Sequence, residues 1–215
     1  MAAVSPNRPA KRGSYCGAIG IVASAGGIPA LIELLGELKG TFPLPILVAQ
    51  HLPRSFSNLD LILSSRCRLP VRWANAGYFE DIGGVTLAAP GTGIRITATG
   101  IEIDFLESAP TSWLPSGDRM IQSLLSIFGK RTIAIVLSGM LPAGVNGIRS
   151  VRAAGGITMA QDRISASDFE MPCAAIDYGK AEIVAPPWRM AQMLQLVADE
   201  WCANLSLTEA VAFAP

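Results

Sequence analysis

Four short apolar runs, Ala18–Ala23, Ile46–Ala49, Thr132–Leu137 and Ile157–Ala160, constrain this chain more than any other feature. Each is strand-sized and close to continuously apolar, which fits a strand buried on both faces. Helical periodicity separates them. Leu31, Leu34, Leu35 and Leu38 recur at i, i+3, i+4 and i+7, predicting a helix over 29–39 with Pro29 in its first turn and Gly40 as its stop. Ser57 suits the cap of a second helix that presents Leu59, Ile62 and Leu63 and ends near Arg66. Ile121, Leu124, Leu125 and Phe128 mark a third over 119–128, and further helices are expected at 148–154, 173–178 and 188–204. Short strands are expected at 71–73 and 183–184. This alternation predicts an α/β fold, a doubly wound, mostly parallel sheet with helices on both faces.

Residues 75–110 change character. Gly83-Gly84, Pro90–Gly93 and Thr99-Gly100 punctuate β-like pieces at 85–88, 95–97 and 101–105, and the last two read as a hairpin. An antiparallel hairpin insertion is therefore expected around residues 85–106, at the sheet margin. Without repeats or a low-complexity linker, one domain is expected over 15–204, between a disordered tail at 1–14 and a C-terminal tail at 205–215.

Composition removes several function classes. The 215 residues carry 17 Lys+Arg and 17 Asp+Glu, a formal net charge of zero. Nucleic-acid binders are normally basic over a domain or patch, so no nucleic-acid partner is expected. His51 is the single histidine, which excludes multi-His metal sites and gives imidazole chemistry one place to occur. Cys16, Cys67, Cys173 and Cys202 lie far apart with no C-x-x-C spacing. Buried reduced thiols in a cytoplasmic protein are the expected state, with no metal and no cofactor. No apolar run reaches the ~18 residues of a membrane span, so membrane insertion is not expected. Arg8, Lys11 and Arg12 ahead of Cys16–Val22 superficially resemble a secretory signal. That stretch is short, contains Gly17 and Gly20 and lacks leucine, and it fits a core strand better.

In parallel α/β sheets ligands bind beyond the carboxyl ends of the strands. There the chain carries Ser24-Ala25-Gly26-Gly27, Gln50-His51-Leu52-Pro53 and Ser138-Gly139-Met140-Leu141-Pro142-Ala143-Gly144. A serine on a strand-to-helix turn exposes its hydroxyl, and backbone N–H groups at the helix start can stabilise an oxyanion. Serine is a poor nucleophile until a base such as imidazole takes its proton. The turn alone also suits a plain tight turn or a phosphate-cradling loop. It carries neither G-x-G-x-x-G nor the lysine of a P-loop, which disfavours a nucleotide site.

Ala23–Leu31, Gln50–Pro53, Ala88–Gly91, Leu137–Met140, Ala154–Gly156, Ala160–Asp162 and Met171–Ile176 occur in an order that resembles the catalytic domain of the chemotaxis protein-glutamate methylesterases, the CheB family. The resemblance runs from about residue 17 to 195. It implies a serine hydrolase that removes methyl esters from glutamates on the cytoplasmic helices of chemoreceptors, or on another methylated protein. Many members also deamidate receptor glutamines. Carried over by position, Ser24 is the nucleophile and His51 the general base, and the backbone N–H groups of Ala25 and Met140 serve the oxyanion. The family's linked phospho-acceptor receiver domain is expected to be missing, and with it regulation by aspartyl phosphorylation on the same chain.

Two positions depart from the family pattern. The loop after Gly-Met normally reads Gly-x-Asp-Gly and supplies the triad acid, whereas this chain has Leu141-Pro142-Ala143-Gly144. The acid position is thus Ala143, and no carboxylate occurs from Arg119 to Gln161. Ser138, Asn146 or a loop carbonyl are candidates to hold the imidazole N–H instead. The family's glycine two residues before the serine is Val22, whose branched side chain is expected to press on the turn. The expectation is an impaired ester hydrolase. The alternative is a catalytically inactive CheB-like binding or regulatory module.

Overall fold

The computed structural model describes residues 15–52, 56–77, 83–98, 100–105 and 117–212. The expected tail at 1–14, Pro53 and residues 213–215 lie outside them. Its elements are β1 (Ala18–Ala23), α1 (Gly27–Glu37), β2 (Ile46–Gln50), α2 (Leu59–Ser64), β3 (Val71–Trp73), β4 (Val85–Leu87), β5 (Thr92–Thr97), β6 (Gly100–Phe105), α3 (Gly117–Phe128), β7 (Thr132–Val136), α4 (Val145–Ala153), β8 (Ile157–Gln161), α5 (Glu170–Asp177), β9 (Ile183–Ala185) and α6 (Pro187–Ala212).

Seven strands form one sheet in the order β3-β4-β2-β1-β7-β8-β9, and every pairing in it is parallel. Side chains alternate across a strand, and β1 shows why this sheet has to be covered twice. Ile19, Ile21 and Ala23 enter one core while Ala18 and Val22 enter the other. The first core takes Leu31, Leu34 and Leu35 from α1, Leu59 and Leu63 from α2, and Met190 and Leu194 from α6. The second takes Met120, Ile121 and Leu124 from α3, Ile148 and Val151 from α4, and Met171 and Ala175 from α5. The fold is therefore doubly wound, as its apolar runs require.

The antiparallel insertion is present as β5 and β6, a separate two-stranded sheet. Ile94, Ile96 and Ile101 on it pack into the second core. Its extent needs a correction. Val85–Leu87, expected within the insertion, is the interior strand β4, parallel to both β2 and β3. All three of its residues are buried, and three residues are too few for periodicity to reveal their sheet.

Four smaller expectations also change. Ile62 is 41% exposed, because α2 is short and buries Leu59 and Leu63 instead. The Ser57 hydroxyl does accept the Leu59 N–H, at 3.2 Å, although the cap position is Asn58. Helix α6 continues to Ala212, through residues expected as tail. Finally, Cys16 and Cys202 are not separate thiols. They form a disulfide with Cα atoms 5.2 Å apart, tying the segment before β1 to α6. Their sequence separation of 186 hides the pairing. It arises because both cysteines pack against the first core. Cys67 and Cys173 are free and only partly buried. Among the described residues, no helix is long and apolar enough to cross a membrane.

Candidate active site

The strand order reverses at β1 and β7: β2, β4 and β3 extend to one side and β8 and β9 to the other. Such a switch point opens a crevice beyond the carboxyl ends. Ser24 leaves β1 there, and Ser138, Gly139 and Met140 follow β7. His51 leaves β2, the neighbour of β1.

Three hydrogen bonds fix the Ser24 backbone. Its N–H donates to the Ser138 carbonyl at 2.9 Å, and its own carbonyl accepts the Gly27 N–H at 2.9 Å and Gln50 Nε2 at 2.9 Å. The turn then depends on two glycines. Gly26, at φ 68, is the left-handed residue that starts α1. A Cβ on it would stand 2.5 Å from Ser167 Cβ and 2.6 Å from Ser138 Oγ. A Cβ on Gly27 would stand 2.6 Å from Gln50 Oε1. The tight approach of three loops thus rests on the Gly-Gly pair.

His51 is held through its backbone, with its N–H on the Ala23 carbonyl at 2.9 Å. Ser24 and His51 therefore emerge from adjacent strands at the same edge. Their side chains are not hydrogen-bonded, since both imidazole nitrogens are buried without a hydrogen-bond partner. Desolvation by burial pushes the His51 pKa down from 6.5 to about 4. Among the described residues no neighbouring charge offsets that, so the ring is neutral at physiological pH.

Ser138, fully buried, joins the third loop to the turn. Its hydroxyl donates to the Ala25 carbonyl at 2.7 Å and accepts the Asp168 N–H at 2.9 Å, while its own N–H donates to Gln161 Oε1 at 2.8 Å. The Gly139 N–H donates to the Asp168 carbonyl at 3.0 Å. Among the described residues, the N–H groups of Ala25 and Met140 donate no hydrogen bond. Both are thus free to meet a developing oxyanion. Met140 is 55% exposed.

Neither Ser138 nor Asn146, the side chains expected to hold the imidazole N–H, bonds to the ring. Ser138 is committed to Ala25 and Asp168, and Asn146 is exposed on α4. Ala143 is a half-buried residue packed against the second core. The carboxylate of Asp118 accepts the Gly147 N–H at 2.7 Å, so it serves the first turn of α4. Val22 does not press on the serine turn as expected. It is buried in the second core, where it faces the Cα positions of Gly117 and Gly144.

The residues that escaped sequence reasoning are Gln50, Gln161 and Asp168. The two glutamines close buried, largely apolar strands of similar composition, ILVAQ and ITMAQ. A buried amide at the carboxyl end of a core strand is the signal that marks them. Among the described residues, no group of three or more His, Cys, Asp or Glu side chains is placed to hold a metal ion.

A family model described as CheB methylesterase matches residues 19–194. A protein-glutamate methylesterase/protein-glutamine glutaminase of Myxococcus xanthus is 36% identical over 197 residues, 91% of this chain and 54% of the relative. One from Carboxydothermus hydrogenoformans is 35% identical over 191 residues, covering 86% and 54%. The chain thus spans a little over half the length of these relatives. A crystal structure of the CheB methylesterase catalytic domain of Thermotoga maritima superposes with a TM-score of 0.75 at 28% identity. That match covers 84% of this chain and 98% of the other.

Proposed function

The chain belongs to the CheB methylesterase family, and from that premise we propose that it is a serine carboxylic ester hydrolase acting on glutamyl methyl esters, with its rate reduced by the alanine at position 143. The observation that carries this reading is the convergence of Ser24, His51 and the two unengaged N–H groups of Ala25 and Met140 on one switch-point crevice.

Ser24 Oγ attacks the ester carbonyl and His51 takes its proton. The Ala25 and Met140 N–H groups hold the oxyanion of the tetrahedral intermediate. His51 returns the proton to the departing methoxide, which leaves as methanol. Water then adds to the acyl-serine with His51 again as base, releasing the glutamate carboxylate and restoring Ser24. The weak step is the first. An imidazole at pKa about 4 gains a proton at a cost of roughly 3 kcal/mol beyond that of a free one. A triad acid would stabilise the imidazolium and set the tautomer, and losing it typically lowers kcat by about 10⁴, or roughly 5–6 kcal/mol. Esters are easier substrates than amides, so ester hydrolysis outlasts deamidation here.

The proposed substrates are methylated glutamates on chemoreceptor cytoplasmic helices or on another methylated protein, met in the cytoplasm. A second reading is favoured by the imidazole that no side chain orients: an inactive module that keeps the crevice for docking. Labelling with a fluorophosphonate, together with methanol release from a glutamyl methyl ester peptide, separates them. The hydrolase labels and turns over slowly, and Ser24→Ala abolishes both. Absence of labelling in the native protein, or labelling that survives Ser24→Ala, leaves the docking module.

A further inference from the structure

We propose that Gln50 is a positioning residue for the hydrolysis, holding the oxyanion donor and the base in register through one carboxamide; this rests on the Ser24–His51 reading above. Gln50 ends β2 and is 5% exposed. Its Nε2 donates to the Ser24 carbonyl at 2.9 Å and to the His51 carbonyl at 3.1 Å. Both acceptors are backbone oxygens, so the amide can sit only with its NH₂ group toward them.

The consequence lies in the Ser24–Ala25 peptide. That unit is planar and trans, so its N–H points opposite to its C=O. Two bonds on the Ser24 carbonyl, from Gln50 Nε2 and the Gly27 N–H, therefore fix the direction of the Ala25 N–H. That N–H is the oxyanion donor next to the nucleophile. The second hydrogen of the same amide holds the peptide that carries the imidazole. Nucleophile, oxyanion donor and base are thus cross-linked across β1 and β2 by one side chain.

The same amide makes poor sense as filler. Gln50 Oε1 is buried without a hydrogen-bond partner, a penalty that an apolar side chain of similar length would avoid. Gly27 leaves the space that Oε1 occupies, since a Cβ there would stand 2.6 Å from it. A Cβ on Gly27 would also stand 2.8 Å from Ala23 Cβ, so the glycine serves the turn as well, and the unsatisfied Oε1 is what marks the amide as kept for its donor group.

The experiment compares native protein, Gln50→Met, Gly27→Ala and Ser24→Ala in fluorophosphonate labelling, resolved into kinact and KI. Backbone ¹⁵N relaxation of the Ala25 amide is measured on the same proteins. Gln50→Met is expected to lower kinact about 10- to 100-fold, the scale of a displaced oxyanion donor, with KI unchanged and the Ala25 amide newly mobile. Gly27→Ala, which pushes on the amide from the other side, is expected to move both readouts the same way. It also decides the matter if Gln50→Met loses exchange protection at Leu47 and Val48. An unchanged kinact, or an effect confined to KI, overturns the inference. Labelling that is absent in native protein or persists in Ser24→Ala instead removes the reading beneath it, and the inference falls with that reading.

Discussion

The Ser138 hydroxyl donates to the Ala25 carbonyl at 2.7 Å while accepting the Asp168 N–H at 2.9 Å. One buried oxygen therefore spans the loops that follow β1, β7 and β8. Ser138→Ala leaves the Asp168 N–H without its acceptor and the Ala25 carbonyl without this donor. Each such loss inside the protein costs about 1–3 kcal/mol. Denaturant unfolding is expected to show a combined loss of about 2–6 kcal/mol, with Ser24 labelling slowed because the turn is no longer anchored on this side.

His51 makes stability depend on pH in a defined window. Its folded pKa is about 4 against 6.5 for the free side chain, so the unfolded chain takes up a proton first as pH falls. Stability is then unaffected by this residue above pH 6.5 and is lost progressively down to about pH 4. The full contribution is roughly 3 kcal/mol. Unfolding curves of native protein and His51→Gln across this range test it. The difference between them is expected to shift in favour of the variant on acidification and to level off below pH 4. A pH-independent difference contradicts the burial of a neutral ring.

Val22 and Gly117 are a matched pair. A Cβ on Gly117 would stand 2.5 Å from Val22 Cγ2 and 2.8 Å from Cγ1, with Val22 fully buried and Gly117 buried beside it. Gly117→Ala is expected to cost about 1–3 kcal/mol through overpacking. Val22→Ala removes both colliding methyl groups, so Gly117→Ala should cost much less in that background. A double-mutant cycle is expected to give a coupling of roughly 0.5–3 kcal/mol. Additive costs would mean that the two side chains do not share the space.

Much of this was legible because β1 and β7 are apolar on both faces, which leaves a parallel strand in a double-covered sheet as the consistent solution. With the sheet assigned, the carboxyl-end rule brought Ser24 and His51 to one edge without further information. What stayed hidden depends on partners distant in sequence. Gln50 looks like an ordinary polar strand end until β1 pairs beside it and brings the Ser24 carbonyl, 26 residues away, within reach. Val22 looked like an intrusion on the serine turn, because the room for it comes from Gly117. Cys16 and Cys202 meet only after α6 has returned to cover β1.

Position 143 offers the most direct manipulation of the proposed chemistry. Ala143 immediately precedes Gly144, the left-handed residue at φ 79 that starts α4, and it is half-buried rather than free in solvent. Both imidazole nitrogens of His51 lack a partner, so a carboxylate that reaches the ring has no competing bond to displace. Ala143→Asp is expected to raise the His51 pKa from about 4, because an adjacent negative charge favours the imidazolium. It should raise ester hydrolysis by as much as about 10⁴, the loss seen when a triad acid is removed. The carboxylate also carries a desolvation penalty, so overall stability is expected to fall slightly. NMR titration of the single histidine and methanol release from a glutamyl methyl ester peptide read the two effects separately. A raised pKa without faster hydrolysis would place the barrier in the oxyanion donors, and the Gln50 and Ser138 variants would then be the ones to limit the rate. An unmoved pKa would mean that the α4 loop does not present position 143 to the ring.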